Sequence, residues 1–311
     1  MRLTIVAVAL LLAACGTTPV TGGGTTVDSA AKATPVVFVH GYSGASCPGN
    51  DVTHNIWGGA YLELSNADWT GPLLPVSYYA CDTDGVDVTG YGAHAPAGAT
   101  ATITDARPRV HYDQNTSIDQ LAHDLGWFVY DSYSAQSTPV DLVGVSMGGL
   151  VIRDLLYRVA QHDPRFPPRL FVPRAVTLST PHLGYGTTAS NIAFCGGHFV
   201  ECDQFATDSR FIAELTAHAR DPQAAGGTQW TVAGSSAGCD FMPAQSALGL
   251  PAAQRVDYLS PCYGHAGYLW DLADTDDAAT RVVDPGSAPV ISHDAPRSLA
   301  WLVATLAAPA S

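Results

Sequence analysis

The sequence predicts an α/β fold: a mostly parallel sheet with helices on both faces and a small lid insertion. Two observations predict it. Short, continuously apolar runs recur along the chain, which suits strands buried on both faces, as in parallel sheets. Between them lie segments whose apolar residues fall at helical spacing, and strands alternating with helices imply such a sheet. Length and composition bound the answer. With 311 residues, 47% hydrophobic and 14% charged, the chain is no disordered segment, collagen or coiled coil, and α/β chains of this size often form one domain. Acidic residues outnumber basic ones 28 to 14, giving a net charge of −14. Nothing basic is clustered, so no nucleic-acid partner is expected.

The chain opens on an address rather than on the fold. Arg2 supplies a positive start, and Leu3 to Ala14 is a predominantly apolar run, too short to span a bilayer comfortably but suited to a signal-peptide core. It ends in Leu12-Ala13-Ala14-Cys15-Gly16, which resembles the lipobox of bacterial lipoproteins. That resemblance implies that Cys15 is diacylated and becomes the mature N-terminus, anchoring an exported protein to a membrane of the cell envelope. An ordinary secretory signal cleaved near Ala14 is the alternative. Residues 16–33 are rich in Thr, Gly and Ser and read as a flexible tether. No later segment reaches 18 uninterrupted apolar residues, the length a second anchor would need.

Residues 34–308 then read as one domain. Thr34 to His40 is a buried strand ended by Gly41, and Leu74 to Tyr79 a second strand. Asp82 to Asp113, rich in Gly, Ala and Thr, is a long loop. Thr116 to Tyr133 has the helical pattern Ile118, Leu121, Leu125, Phe128, Val129, with Thr116 or Ser117 available as N-cap. Pro139 to Val145 is a strand and Met147 to Ala160 a helix. Arg174 to Leu178 and Gln229 to Ala233 are further strands, Arg255 to Leu259 a weaker one, and Asp294 to Leu306 a closing helix. Residues 184–227 interrupt the alternation and read as a lid or substrate loop.

The chemistry centres on Gly144-Val145-Ser146-Met147-Gly148, a G-x-S-x-G between a buried strand and an amphipathic helix. A sharp strand-to-helix turn holds such a serine in a strained conformation, and the small residues two before and two after permit the close approach. The helix N-terminus adds unpaired N–H groups and a positive dipole end beside the nucleophile.

At three stretches the sequence resembles the bacterial lipases and esterases of the α/β-hydrolase fold. Phe38-Val39-His40-Gly41-Tyr42 is similar to their oxyanion loop, and Val143 to Arg153 to their nucleophile elbow and its helix. Leu178-Ser179-Thr180-Pro181-His182-Leu183-Gly184 is similar to their next strand end. Val145 stands where many of those lipases carry histidine. The resemblance implies an oxyanion hole made by the N–H groups of Tyr42 and Met147. His40 precedes the serine, against the fold's order of Ser, acid, His, and so reads as a loop-organising residue.

The acid and the histidine therefore follow Ser146. Asp240 lies in the loop after a late strand, whereas Asp203 and Asp208 fall in the presumed lid and Asp257 within the next strand. His182, His198 and His218 precede the acid, which leaves His265 and His293. His265 is preferred, because only one helix-and-strand passage separates it from Asp240.

Export favours disulfides among the six cysteines after Cys15, and no paired CxxC or CxxH spacing suggests zinc. Cys239–Cys262 would tie the acid and histidine loops together, Cys47–Cys81 would join the ends of two early strands, and Cys195–Cys202 would close a small lid loop. The acidic stretches Asp82-Asp84-Asp87 and Asp271 to Asp277 read as solvated loops rather than calcium sites. Trp57, Trp69, Trp127 and Trp270 read as core. No metal or cofactor is implied. The expected function is a serine carboxylic ester hydrolase, an esterase or lipase acting on an ester or lipid through an acyl-enzyme. The alternatives are an acyltransferase or polyester depolymerase on the same triad, or a non-catalytic envelope binding protein.

Overall fold

The computed structural model describes residues 30–43, 49–91, 112–218, 227–251, 253–271 and 277–308. The signal run, Cys15, most of the tether and Cys47 lie outside the described residues, and with them the Cys47–Cys81 pairing. The strands are β1 (Val36–Val39), β2 (Asn50–Asp51), β3 (Leu73–Ser77), β4 (Asp82–Thr83), β5 (Val86–Asp87), β6 (Asp141–Val145), β7 (Arg174–Leu178), β8 (Gln229–Ser235), β9 (Gln254–Ser260), β10 (Ala278–Val283) and β11 (Val290–Ala295). Nine of them form one sheet in the order β11-β10-β9-β8-β7-β6-β1-β3-β5, while β2 pairs with β4. From β9 to β5 every pair is parallel; β10 and β11 are antiparallel.

The strands are continuously apolar because both faces are covered. In β1, Val36 and Phe38 join one core with Val143 and Val145 of β6, while Val37, Val39 and Leu142 join the other. Helices α1 (Gly58–Asn66) and α8 (Ser298–Ala307) pack on the first face through Ala60, Leu64, Leu299, Leu302 and Leu306. Helices α2 (Ile118–Ser132) and α3 (Met147–Ala160) cover the second through Ile118, Leu121, Leu150, Ile152 and Leu155. Each leucine or isoleucine among them, removed from water, contributes on the order of 1.5–3 kcal/mol. Ser117, not Thr116, caps α2, accepting from the Gln120 N–H at 3.1 Å. The mostly parallel sheet with helices on both faces is thus the expected fold.

Four stretches differ from expectation, the first being 82–113, read as a loop, where Asp82–Thr83 and Val86–Asp87 are the short strands β4 and β5. Residues 184–218 of the expected lid are largely helical rather than a loop, with α4 (Thr188–Cys195), α5 (Val200–Gln204) and α6 (Arg210–Ala217), the last packed into the α2/α3 core by Phe211, Ile212 and Leu215. Helix α1 has no clear apolar period, and it begins on two glycines, which weaken a helix. The closing helix starts at Ser298, not Asp294, because residues 278–295 form the β10–β11 hairpin. Its turn is made by Asp284, whose carbonyl accepts from Ser287 N, and by Gly286 at φ 78°. Pro296 disfavours helical backbone at Ala295. Val290 and Ile291 are exposed on this outermost strand, so no one-sided apolar alternation announced it.

Candidate active site

Strand β6 ends at Val145 and α3 begins at Met147, leaving Ser146 alone in the turn at φ 55°, ψ −132°. Its N–H donates to the Leu178 carbonyl of β7 at 2.9 Å, which fixes the turn to the neighbouring strand. Two glycines make room. A Cβ on Gly144 would stand 2.7 Å from the Gly149 nitrogen, and one on Gly41 2.6 Å from the Ser146 Cβ. Both approaches are closer than any L side chain permits.

Gly41 and Tyr42 follow β1, and a buried network braces their loop. The His40 Nε2 lies 2.9 Å from Asp82 Oδ2, which also accepts from the N–H groups of Tyr78 and Tyr79 at 2.9 and 2.8 Å. The His40 ring stacks on Tyr78 with centroids 4.1 Å apart. His40 therefore shapes the loop, as its position before the serine suggests.

Asp240 and His265 follow β8 and β9, adjacent parallel strands, so both loops leave the same sheet edge. A Cys239–Cys262 disulfide joins those loops with Cα atoms 5.4 Å apart. The His265 Nδ1 lies 3.0 Å from Asp240 Oδ1, which also accepts from the Met242 N–H at 2.9 Å. Burial works to raise the Asp240 carboxyl, but hydrogen bonds from His265, Ser179 and Met242 hold it below the usual aspartate value. With Nδ1 engaged by a carboxylate, Nε2 is the ring nitrogen left for a base.

Ser146, His265, Tyr42 and Met147 line one cleft. Asp240 reaches that cleft only through His265. The other walls carry no charge: Tyr185, Phe194, Phe205 and Phe241 supply most of them. Phe241 tilts over the His265 ring at 4.1 Å, and Phe194 and Phe241 are each about half exposed, at 48% and 47%. Cys195–Cys202 ties α4, which carries Phe194, to α5.

The rejected candidates have other occupations. His293 is exposed on β11, five strands from β6 in the sheet order. His182 is buried against Thr177 Oγ1 at 2.8 Å, and burial, with Arg153 nearby, pushes its pKa well down. Asp208 accepts from the Thr188 N–H at the start of α4, and Asp257 pairs with Arg281 and the Ser236 N–H. Asp82 is committed to His40, while Asp271 and Asp277 flank Arg297. Asp51, His54 and Asp84 hold potential ligand atoms within 4.8 Å of one another, brought close by the β2–β4 pairing and by the His54–Asp51 hydrogen bond at 2.8 Å. Trp57 and Trp69 are core, but Trp270, expected there, is 46% exposed.

Two features had no assigned role in the sequence reading. Ser179 Oγ lies 2.5 Å from Asp240 Oδ2, 61 residues away, a proximity that no local pattern reveals. Glu201 of α5 is fully buried, accepting from the Tyr79 hydroxyl at 2.6 Å; burial lifts its pKa well above the ordinary value. An acid two residues before Asp203 in so short a helix gives no such hint.

No family model matches the sequence, and no curated protein matches it. Solved structures resemble it at a distance. The phospholipase PlaB from Legionella pneumophila is 15% identical over 64% of this chain and 38% of its own, with a TM-score of 0.41. The Bacillus licheniformis lipase BlEst2 in its propeptide form is 17% identical over 78% of this chain and 49% of its own, at 0.47. Aspergillus fumigatus lipase B is 13% identical over 89% and 57%, at 0.46. The chain thus spans well under two thirds of each. Likenesses this distant carry no functional argument, which must come from the site itself.

Proposed function

We propose that the protein is a serine carboxylic ester hydrolase in which Ser146, His265 and Asp240 act as nucleophile, base and orienting acid. One observation carries the reading: a serine in a strained turn at the head of a helix shares an uncharged cleft with a histidine whose Nδ1 is bound to a buried carboxylate. Ser146 Oγ attacks the ester carbonyl carbon and gives its proton to His265 Nε2. The oxyanion forms beside the N–H groups of Tyr42 and Met147 and the positive end of α3. His265 then protonates the departing alcohol, and water repeats the steps on the acyl-enzyme. Asp240 holds the imidazole tautomer and stabilises the imidazolium. The aromatic walls favour an apolar, uncharged acyl group.

Rates on p-nitrophenyl esters from acetate to palmitate, measured for wild type and Ser146→Ala, test the reading and give its chain-length preference. Ser146→Ala should lose on the order of 10⁴–10⁶ in kcat with its fold intact. A variant keeping a tenth of wild-type activity would sink the assignment.

We infer further that the protein is exported and anchored through a lipid on Cys15. The disulfides Cys195–Cys202 and Cys239–Cys262 support an oxidising compartment. Among the described residues no helix is long and apolar enough to cross a membrane. Two or three acyl chains on one cysteine give a stable anchor where one binds marginally. Cys15→Ala should therefore move the protein from the membrane to the soluble fraction, and a variant exported normally yet still sedimenting with membranes contradicts the anchor.

A further inference from the structure

Ser179 stands at the C-terminal end of β7, one residue after the carbonyl that pins the Ser146 backbone. It is fully buried and its φ is 47°, left-handed for a residue with a side chain. Such a conformation is unfavourable for a residue with a side chain and persists only where the surroundings enforce it. Here the Ser179 N–H donates to the Ala233 carbonyl of β8 at 2.9 Å, and the turn aims the hydroxyl at the acid and the base together. Its Oγ lies 2.5 Å from Asp240 Oδ2 and 3.0 Å from His265 Nδ1. Asp240 Oδ1 lies 3.0 Å from that same Nδ1.

Counting protons assigns the direction of each bond. A serine hydroxyl has one proton and two lone pairs, and an ionised carboxylate can only accept. The Ser179 proton therefore goes to Asp240 Oδ2, and Ser179 Oγ accepts from His265 Nδ1–H, which is shared between Ser179 and Asp240 Oδ1. The three groups close a ring of hydrogen bonds, two of them to a charged acceptor and so stronger than neutral ones.

We propose that Ser179 is a positioning residue of this site, locking the Asp240 carboxylate and the His265 ring into one plane of approach with the proton on Nδ1. The proposal rests on the Ser146–His265–Asp240 reading and adds a fourth group to it. Ser179 touches neither substrate nor nucleophile; it acts through the other two. Without its hydroxyl, Asp240 Oδ2 loses a donor and Nδ1–H loses an acceptor. The imidazole can then rock away from Ser146, and positioning losses of that kind fall on kcat rather than on binding.

The test compares Ser179→Ala with Ser179→Gly on a soluble short-chain p-nitrophenyl ester, beside Ser146→Ala and wild type. Near-UV circular dichroism verifies folding, and phosphonylation of Ser146 by a fluorophosphonate reports nucleophile activation without turnover. Glycine adopts the left-handed backbone without strain, so it removes the hydroxyl while favouring the turn. The expected result is a fall of about 10- to 100-fold in kcat for both variants, with KM within about twofold and the phosphonylation rate falling in parallel. If glycine restores the kcat that alanine loses, position 179 matters for its backbone alone and the proposal fails. It fails equally if both variants keep wild-type kcat while Ser146→Ala is inactive, an outcome that leaves the triad standing. Activity surviving in Ser146→Ala removes the triad, and the role of Ser179 with it.

Discussion

Ser146 and Ser179 share an unusual backbone: both are non-glycine residues at positive φ, at the ends of adjacent parallel strands β6 and β7. Strain of this kind survives where neighbouring structure enforces it; Ser179 turns its hydroxyl to Asp240 and His265, and Ser146 lines the cleft that His265 also lines. The choice of histidine is the residue-scale question with the sharpest answer. His265 contacts Asp240 and lines the cleft, whereas His293 sits exposed on the sheet's outermost strand. His265→Ala should match Ser146→Ala in activity, because members of a catalytic unit do not contribute additively. His293→Ala should lose no more than a few-fold. Steady-state rates on one short-chain ester decide it, and an inactive His293→Ala beside a near-normal His265→Ala would overturn the base assignment.

At the scale of elements, parallel pairing brings the site together. Loops after β1, β6, β7, β8 and β9 leave one edge of the sheet, so residues spread from Gly41 to His265 meet there. The β8 and β9 loops are further tied by Cys239–Cys262, which closes a span with a sequence separation of 23. Closing a loop of that length contributes roughly 3 kcal/mol in the chain-entropy picture. Much of the core lies away from that bridge, in β1, β6, β7 and their covering helices. Mild reduction should therefore lower activity before it unfolds the sheet, as the acid and base loops lose register. Activity and far-UV circular dichroism followed along one reductant titration should separate, with activity failing first; coincident loss would show that the disulfide serves the whole fold instead.

For the whole molecule, pH stability carries a signature from Glu201. Burial raises its carboxyl well above the ordinary value of 4.5, against the opposing hydrogen bond from Tyr79. A carboxyl that holds its proton more tightly when folded makes the unfolded state bind fewer protons. Stability from this group is therefore full below the unfolded value and falls as pH rises toward the folded one, by at most about 1.4 kcal/mol per pH unit. Glu201→Gln has no proton to lose. Urea midpoints for the two proteins should sit close together at pH 4 and diverge in favour of the variant as pH rises to 8. Parallel curves would contradict the assignment.

The fold was legible because its core strands bury both faces. Val36–Val39, Asp141–Val145 and Arg174–Leu178 show that burial as continuous apolar runs, and α3 starts at Met147 as the G-x-S-x-G pattern requires. Ser146, Asp240 and His265 are expected together from the order of serine, acid and histidine that the resemblance implies, and the structure brings His265 to Asp240 and to the cleft that Ser146 lines. The β10–β11 hairpin was not legible, since an exposed edge strand carries no apolar alternation, and α1 was hidden by its leading glycines. Nor could local pattern reveal Ser179 beside Asp240, or the burial of Glu201. Those are contacts between segments 61 and 122 residues apart, Ser179 with Asp240 and Tyr79 with Glu201. The sequence by itself determined which residue types stand at the ends of which strands, because periodicity and turn chemistry are local. Only the tertiary structure decided which side chains meet, because hydrogen bonding and desolvation depend on distances that chain order does not encode.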